Sequence, residues 1–161
     1  FTRISGDIIA PAARPANFAP LVGLIGTPAI MPNARIATVT LVVDDYDRAI
    51  AWYTEKLGFA LLADTPLGAG KRWVLVAPSA DAGARLLLAK ADGARQAERV
   101  GDQTGGRVGF FLETDDFARD HAVFLARGVV FREHPRHESY ATVAVFEDLY
   151  GNLWDLLQPK G

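Results

Sequence analysis

Hydrophobic and polar positions follow two different periods along this chain, and the order of those periods predicts its elements. Residues 36–43 (IATVTLVV) are rich in β-branched side chains, which is typical of a strand. Asp45 then offers a helix cap, and apolar residues recur at helical spacing from Tyr46 to Leu57, where Gly58 ends the helix. Three strand-like runs follow at 59–63, 72–77 and 84–90. The predicted order of elements is βαβββ.

The second half of the chain repeats this order. Residues 107–114 read as a strand, Asp116 begins a helix and Gly128 ends it. Further strands are predicted at 129–133, 140–147 and 153–158. The interval from Asp45 to Asp116 nearly equals the interval from Gly83 to Gly151, which indicates a duplicated module.

These patterns divide the chain into four segments. Residues 1–34 contain several prolines and predict an irregular extension, and the interrupted apolar runs make a poor secretory signal. Residues 35–90 form the first predicted module and residues 106–161 the second. Residues 91–105 are polar and glycine-punctuated, so we expect a linker loop between the modules.

Side-chain parity separates the two faces of each predicted sheet. One face is apolar throughout, as in Leu41, Leu88 and Trp154, and belongs under the helices. The opposite face mixes hydroxyl, charged and apolar groups, which is not the composition of a dry core. We predict an α+β fold in which the two modules form an open cup of mixed β-sheet, with helices on the outer face. The candidate ligand-binding residues on the cup side are Thr38, Thr40, Arg85, Leu87, Arg107, Gly109, Phe111, Glu113 and Asp155, with Trp73 as a further candidate.

Composition narrows the kinds of partner. The 161 residues are 50% hydrophobic and carry a net charge of −2, so they lack the basic stripe that nucleic acid requires. No apolar run approaches the length of a membrane span, and we expect neither a nucleic-acid nor a membrane partner. The absence of cysteine excludes thiolate chemistry and suits a cytoplasmic protein.

Two motifs resemble the vicinal oxygen chelate superfamily of glyoxalase I, bleomycin-resistance proteins and extradiol dioxygenases. The segment VTLVVDDYDRAIAWYTEKLGF is similar to the opening strand and helix of that family, and FEDLYGNLWDLLQP is similar to its closing turn and strand. The resemblance covers roughly residues 35–159. It implies paired βαβββ modules, a homodimer and a small-molecule ligand.

Metal-dependent members of this family hold a divalent ion with His or Glu at four cup positions. The resemblance implies that these positions correspond to Thr38, Leu87, Gly109 and Asp155. Of these four residues, only Asp155 has a side chain of a type that commonly binds such ions. A catalytic site for zinc, nickel or iron needs at least three protein ligands, so we predict no metal and no other cofactor. The alternative is a Glu113–Asp155 pair that binds a weak hard cation.

Several side chains leave more than one interpretation open. Arg107 and Asp155 could form a salt bridge in the cup, or Arg107 could clamp an anionic ligand while Asp155 acts as a general base. Either Trp73 or Arg72 should enter the cup, since the parity of their strand is undetermined. His121 reads as a core residue, and His134 and His137 read as residues of a surface turn.

The sequence therefore favours a glyoxalase-like protein that binds a small organic molecule in the cup without a catalytic metal. The first alternative is a metal-dependent lyase, isomerase or dioxygenase of the same superfamily. The second is a dimeric interaction module whose cup is filled by side chains.

Overall fold

The computed structural model describes residues 34–81 and 83–161, and the unit that begins at Arg35 contains both predicted modules. The predicted N-terminal extension therefore lies outside the described residues, apart from Ala34. The unit has an α+β fold with two mixed sheets, as the sequence predicts. No helix in the described ranges is long and apolar enough to cross a membrane.

The first module contains one helix and a four-stranded sheet. Its strands lie in the order β1-β4-β3-β2, with β1 and β4 parallel and the other neighbours antiparallel. The bounds are β1 Thr38–Val43, α1 Tyr46–Glu55, β2 Ala60–Gly68, β3 Lys71–Ala77 and β4 Arg85–Lys90. Between the modules the predicted linker holds a short helix, α2, at Ala94–Ala97.

The second module repeats the same topology. Its sheet has the order β5-β9-β8-β6, and β7 also pairs with β8, so β6 and β7 together occupy the place that β2 takes in the first sheet. The bounds are β5 Val108–Glu113, α3 Phe117–Ala126, β6 Val130–Phe131, β7 Arg136–His137, β8 Ala141–Glu147 and β9 Leu153–Pro159. The edge strands β1 and β5 are the first strands of their modules.

The two long helices begin for the same physical reason. The side chain of Asp45 accepts a hydrogen bond from the Arg48 amide at 3.1 Å, and Asp116 accepts one from the Arg119 amide at 2.9 Å. Each carboxylate satisfies an amide that has no partner within its helix. The capping pattern is thus duplicated together with the strands.

One aromatic core joins the two modules. Trp154 of β9 is 4% exposed, and its ring stacks on Phe110 of β5 at 4.3 Å between centroids. The ring of Phe59, from the first module, lies 6.1 Å from Trp154 at an angle of 71°. Burial of large aromatic side chains contributes several kcal/mol in all, so the modules stabilise one another.

Besides the extension of β2 to Gly68 and the helix α2 in the linker, the structure differs from the predicted pattern at two places in the second module. His137 was predicted in a surface turn with His134, but Arg136 and His137 form β7, because their backbone pairs with Val143 and Thr142 of β8. In β5, Val108 pairs with Leu153 and Phe110 with Trp154, which leaves Gly109 as an extra residue in a bulge. Because of this bulge, Val108 shares a row with Leu153, and the strict alternation of faces on which the sequence analysis relied does not hold along β5.

Candidate functional site

Strand register identifies the cup face of the first sheet. Leu88 and Val74, which are fully buried, are register partners on the helix side. The adjacent row pairs Thr40 with Leu87 and Leu87 with Leu75, so these three side chains share the other face. The prediction that Thr40 and Leu87 lie on the cup face agrees with this register.

The register also decides between Trp73 and Arg72. Trp73 is two residues from Leu75 and therefore lies on the cup face, where it is partly exposed. The Arg72 guanidinium lies on the helix side, 2.6 Å from Asp47 of α1 and 5.2 Å from the ring centre of Tyr46. Hydrogen bonds to Asp64 and Asp47 raise the pKa of Arg72 further above its ordinary value. Trp73 is therefore the residue that this strand contributes to the cup.

In the second sheet an aromatic ring lies beside a carboxylate. Phe111 of β5 is the register partner of Asp155 of β9, which in turn pairs with Val145 of β8. Phe111 is 65% exposed, which is unusual for a large apolar side chain in the middle of a strand. The neighbouring row pairs Glu113 with Leu157, so Glu113 lies on the same face, where it is exposed.

A cleft of about 310 Å³ opens where the two modules meet, and we call it the junction cleft. It brings together three of the predicted residues, Arg85, Gly109 and Phe111. The rest of its lining is mainly apolar and includes Phe59 and Trp154 from the shared core. The remaining lining residues are Val39, Pro78, Ala84, Leu86, Phe110 and Leu112. Apolar clefts with a few polar groups are typical sites for small ligands.

Arg85 supplies the positive charge of the junction cleft. Its side chain is partly exposed and forms no salt bridge with any residue in the described ranges. Thr38, its register partner on β1, offers a hydroxyl next to it. A guanidinium without an ionic partner can donate hydrogen bonds to an oxygen-bearing ligand.

Asp155 lies in a mainly apolar part of the cup face. Its Oδ1 atom is buried and has no hydrogen-bond partner among the described residues. Burial raises the pKa of Asp155, the positive charge of Arg136 lowers it and the negative charge of Glu133 raises it again. Arg136 lies on β7, so the segment predicted as a surface turn supplies the charged groups that shift the pKa of this carboxyl.

Of the two alternatives for Arg107 and Asp155, the salt bridge does not form in the described residues. Arg107 is exposed and precedes β5, whereas the register partner of Asp155 is Phe111, roughly 13 Å further along the strand. Asp155 forms no salt bridge in the part of the chain that the structure describes. Alternation had put Arg107 on the same face as Asp155, but the bulge at Gly109 interrupts that alternation between Arg107 and Phe111.

A second groove, of about 410 Å³, lies beside the junction cleft and contains Thr40 and Gly109. The linker forms its wall: the Gln103 side-chain oxygen accepts a hydrogen bond from the Val42 amide on the free edge of β1. Thr104 packs so closely on Gly109 that a Cβ atom there would lie 2.7 Å from the threonine methyl group. No sequence pattern distinguishes Gln103, because its role depends on a contact between segments that are distant along the chain.

The residues at the four family metal positions do not fit a divalent ion. Thr38 and Leu87 lie on different rows of the first sheet, Gly109 has no side chain, and Asp155 alone offers a carboxylate. Within the two described ranges, no group of three or more His, Cys, Asp or Glu side chains is arranged to hold a metal ion. The Glu113–Asp155 alternative would supply two carboxylates from neighbouring rows.

Comparison with known proteins defines the class to which this fold and site belong. Residues 35–156 match the Glyoxalase/Bleomycin resistance protein/Dioxygenase superfamily. The chain is 52% identical over 124 residues to an uncharacterized protein of Shewanella frigidimarina (strain NCIMB 400), covering 76% of this chain and 92% of the relative. The chain therefore belongs to the glyoxalase/bleomycin resistance protein/dioxygenase superfamily, as the sequence motifs predicted.

Two solved structures are similar in both fold and sequence. UcmS2 has a TM-score of 0.68 and 30% identity, with 78% of this chain and 98% of that chain covered. TnmS3, an antibiotic binding protein from Streptomyces sp. CB03234, has a TM-score of 0.65 and 32% identity, with 81% and 99% covered. In both comparisons the matched region covers almost the whole length of the solved protein.

Proposed function

We propose that this protein binds a small organic molecule on the cup face, with part of the ligand in the junction cleft, and performs no metal-dependent reaction. The observation that carries the proposal is the combination of an exposed Phe111 with an apolar cleft at its side. An exposed aromatic ring next to a cleft offers a flat surface on which a planar ligand can stack.

The dimensions of the cleft favour a small, largely apolar ligand. A volume of about 310 Å³ lies at the lower end of the range for ligand pockets, which begins at about 300 Å³. Arg85 is the charged group of the lining, so the ligand need present only a few polar atoms. The similarity to TnmS3, an antibiotic binding protein, supports a binding role for a protein with this fold.

Tryptophan fluorescence tests this proposal with the full chain. Trp154 lines the junction cleft, so a stacked ligand should change its emission. We expect methylnaphthalene, naphthylmethanol and naphthylmethylamine, which share one aromatic ring system, to bind with saturable changes. Phe111→Ala should weaken each of these affinities by about tenfold, since aromatic contacts contribute about 1.5 kcal/mol beyond the area that they bury.

Leu125→Ala is the matched control, because Leu125 is 51% exposed on α3 and does not line the junction cleft. It should leave the three affinities unchanged. Equal losses in the two variants, or no saturable binding of any probe, would contradict the proposal.

Metal content separates the proposal from a metal-dependent lyase, isomerase or dioxygenase. A stoichiometric amount of zinc, nickel, iron or manganese in the purified protein, retained through dialysis, would overturn it. We also propose that the protein forms a homodimer, which the family similarity supports. Sedimentation analysis tests this, and a monomer at all concentrations would contradict it.

A further inference from the structure

The carboxylate of Asp155 has an acceptor atom that the folded chain leaves unused. Oδ1 is buried without a hydrogen-bond partner within residues 34–81 and 83–161, and Trp154 Nε1 is the only other such side-chain atom there. An unsatisfied buried acceptor costs about 1–3 kcal/mol, so folded proteins rarely retain one without a reason. The acceptor lies on the cup face, beside the ring that carries the proposed function.

The neighbours of Asp155 do not supply a donor. Its cross-strand partners are Phe111 and Val145, and its neighbours of the same parity on β9 are Leu153 and Leu157. All four side chains are apolar and have no hydrogen-bonding group. The carboxylate is therefore bordered by apolar side chains, and none of these four would compete with a ligand donor for the hydrogen bond.

Arg136, whose positive charge acts on Asp155, forms its hydrogen bonds with two other carboxylates. Arg136 Nε donates to Glu133 Oε1 at 3.0 Å, and Arg136 Nη1 donates to Glu138 Oε1 at 2.6 Å. Glu133 also accepts the Val145 amide at 3.2 Å, which fixes this ion pair against β8. Arg136 thus offsets part of the charge near Asp155 at longer range and leaves Oδ1 available.

We propose that Asp155 Oδ1 accepts a hydrogen bond from the ligand, and that the ligand is a planar aromatic compound with an amine or hydroxyl group next to the ring that contacts Phe111. This inference rests on the proposed binding function and specifies its ligand class. The register supports it, since Phe111 and Asp155 are direct cross-strand partners and one small molecule can reach both. In this arrangement Asp155 fixes the orientation of the ligand, and the ring of Phe111 supplies most of the apolar area that the ligand contacts.

The three naphthalene probes test this inference because they differ in one group. Naphthylmethylamine carries a cationic donor, naphthylmethanol a neutral donor and methylnaphthalene none. With the wild-type protein we expect the amine to bind about tenfold more tightly than methylnaphthalene, which is typical of one hydrogen bond to a charged group. The alcohol should lie between them.

Two variants at position 155 separate the hydrogen bond from the charge. Asp155→Leu removes the acceptor and should equalise the three affinities to within about twofold. Asp155→Asn retains a neutral acceptor, so it should keep the preference for the alcohol over methylnaphthalene and lose most of the preference for the amine. Glu55→Gln removes one negative charge at an exposed position of α1, outside the candidate site, and should leave every preference intact.

The outcomes distinguish this inference from the function on which it rests. If methylnaphthalene binds as tightly as the amine, or if Asp155→Leu keeps the wild-type preference, the role of Asp155 is overturned and the binding function stands. If Glu55→Gln reduces the preference as much as Asp155→Leu, general surface charge explains the preference and the inference is wrong. If no probe binds, both proposals are overturned.

Discussion

Tyr53 Oη of the first module donates a hydrogen bond to Asp148 Oδ2 of the second module at 2.6 Å. Both residues are buried, and Asp148 also accepts hydrogen bonds from the Tyr150 and Asn152 amides through Oδ1. Burial and the adjacent carboxylate raise the pKa of Tyr53 well above its ordinary value, so its hydroxyl remains a donor. This contact fixes α1 on the β8–β9 turn and therefore sets the relative position of the two sheets that border the junction cleft.

Tyr53→Phe should destabilise the protein by about 2 kcal/mol, since a buried carboxylate would lose one of its donors. Urea unfolding followed by circular dichroism measures this loss. Tyr140→Phe is a matched control, because Tyr140 is 66% exposed and its substitution should change stability little. Equal unfolding midpoints for Tyr53→Phe and the wild type would show that the hydroxyl contributes nothing to the contact.

Gly101 allows the linker to lie directly on the β8–β9 turn. Its φ is +80°, and a Cβ atom there would lie 2.1 Å from the carbonyl oxygen of Tyr150. Gly101→Ala should therefore cost about 1–2 kcal/mol for the left-handed backbone and about 1–3 kcal/mol more for displacement of the linker. Thermal unfolding measures the sum.

Gly106→Ala isolates the backbone part of that cost. Gly106 has the same φ of +80°, but a Cβ atom there meets nothing within 4 Å. We expect Gly106→Ala to lower the unfolding temperature clearly less than Gly101→Ala does. Similar losses in the two variants would mean that the linker does not press on Tyr150 in solution.

Local chemistry accounts for the parts of this fold that the sequence predicts. Both long helices begin after a carboxylate that caps them, and both end before a glycine with positive φ, Gly58 and Gly128. Strand parity likewise assigned Leu41 and Leu88 to the buried face. Caps and parity depend on neighbours within a few residues, so a single sequence contains them.

The candidate site depends on contacts that a single sequence does not contain. The Gln103 side chain binds the edge of β1 across 61 positions of the chain. Arg136 acts on Asp155 from a two-residue strand whose sequence resembles a turn. Parity put Arg107 and Asp155 on one face, but the bulge at Gly109 breaks the alternation, and the register places Phe111 beside Asp155. The faces of the regular strands were therefore predictable, whereas the bulge and the arrangement of residues on each face were not.

Asp155→Asn should raise stability at neutral pH, in contrast to most substitutions of charged residues. Burial raises the pKa of Asp155 above the ordinary value of 3.8, so the folded protein holds a proton that the unfolded chain releases more readily. The wild-type protein therefore loses stability from this residue as pH rises from about 3.8 through the raised pKa. We expect the variant to gain roughly 0.5 kcal/mol near pH 7, because the carboxyl is partly exposed, and nothing near pH 3.

Urea unfolding at the two pH values measures that gain, with Glu113→Gln as the control. Glu113 is exposed on the same face, so its substitution should give no comparable pH-dependent gain. A variant at position 155 that is less stable than the wild type near pH 7 would mean that the carboxylate has a partner in solution.

His121 should make the protein sensitive to mild acid. Its ring lies 5.4 Å from the ring of Phe117 and 4.3 Å from that of Phe131, and burial lowers its pKa below the ordinary value of 6.5. Between the lowered pKa and 6.5 the unfolded chain binds a proton more readily than the folded protein, so stability falls as pH decreases through this window. His121→Gln cannot take up that proton, and its unfolding temperature should fall less between about pH 7 and about pH 5.5 than that of the wild type.

His134→Gln is the control, because His134 is exposed, and this variant should retain the wild-type dependence of the unfolding temperature on pH. If His121→Gln also retains it, protonation of His121 is not opposed by the fold, and the acid response must come from other groups.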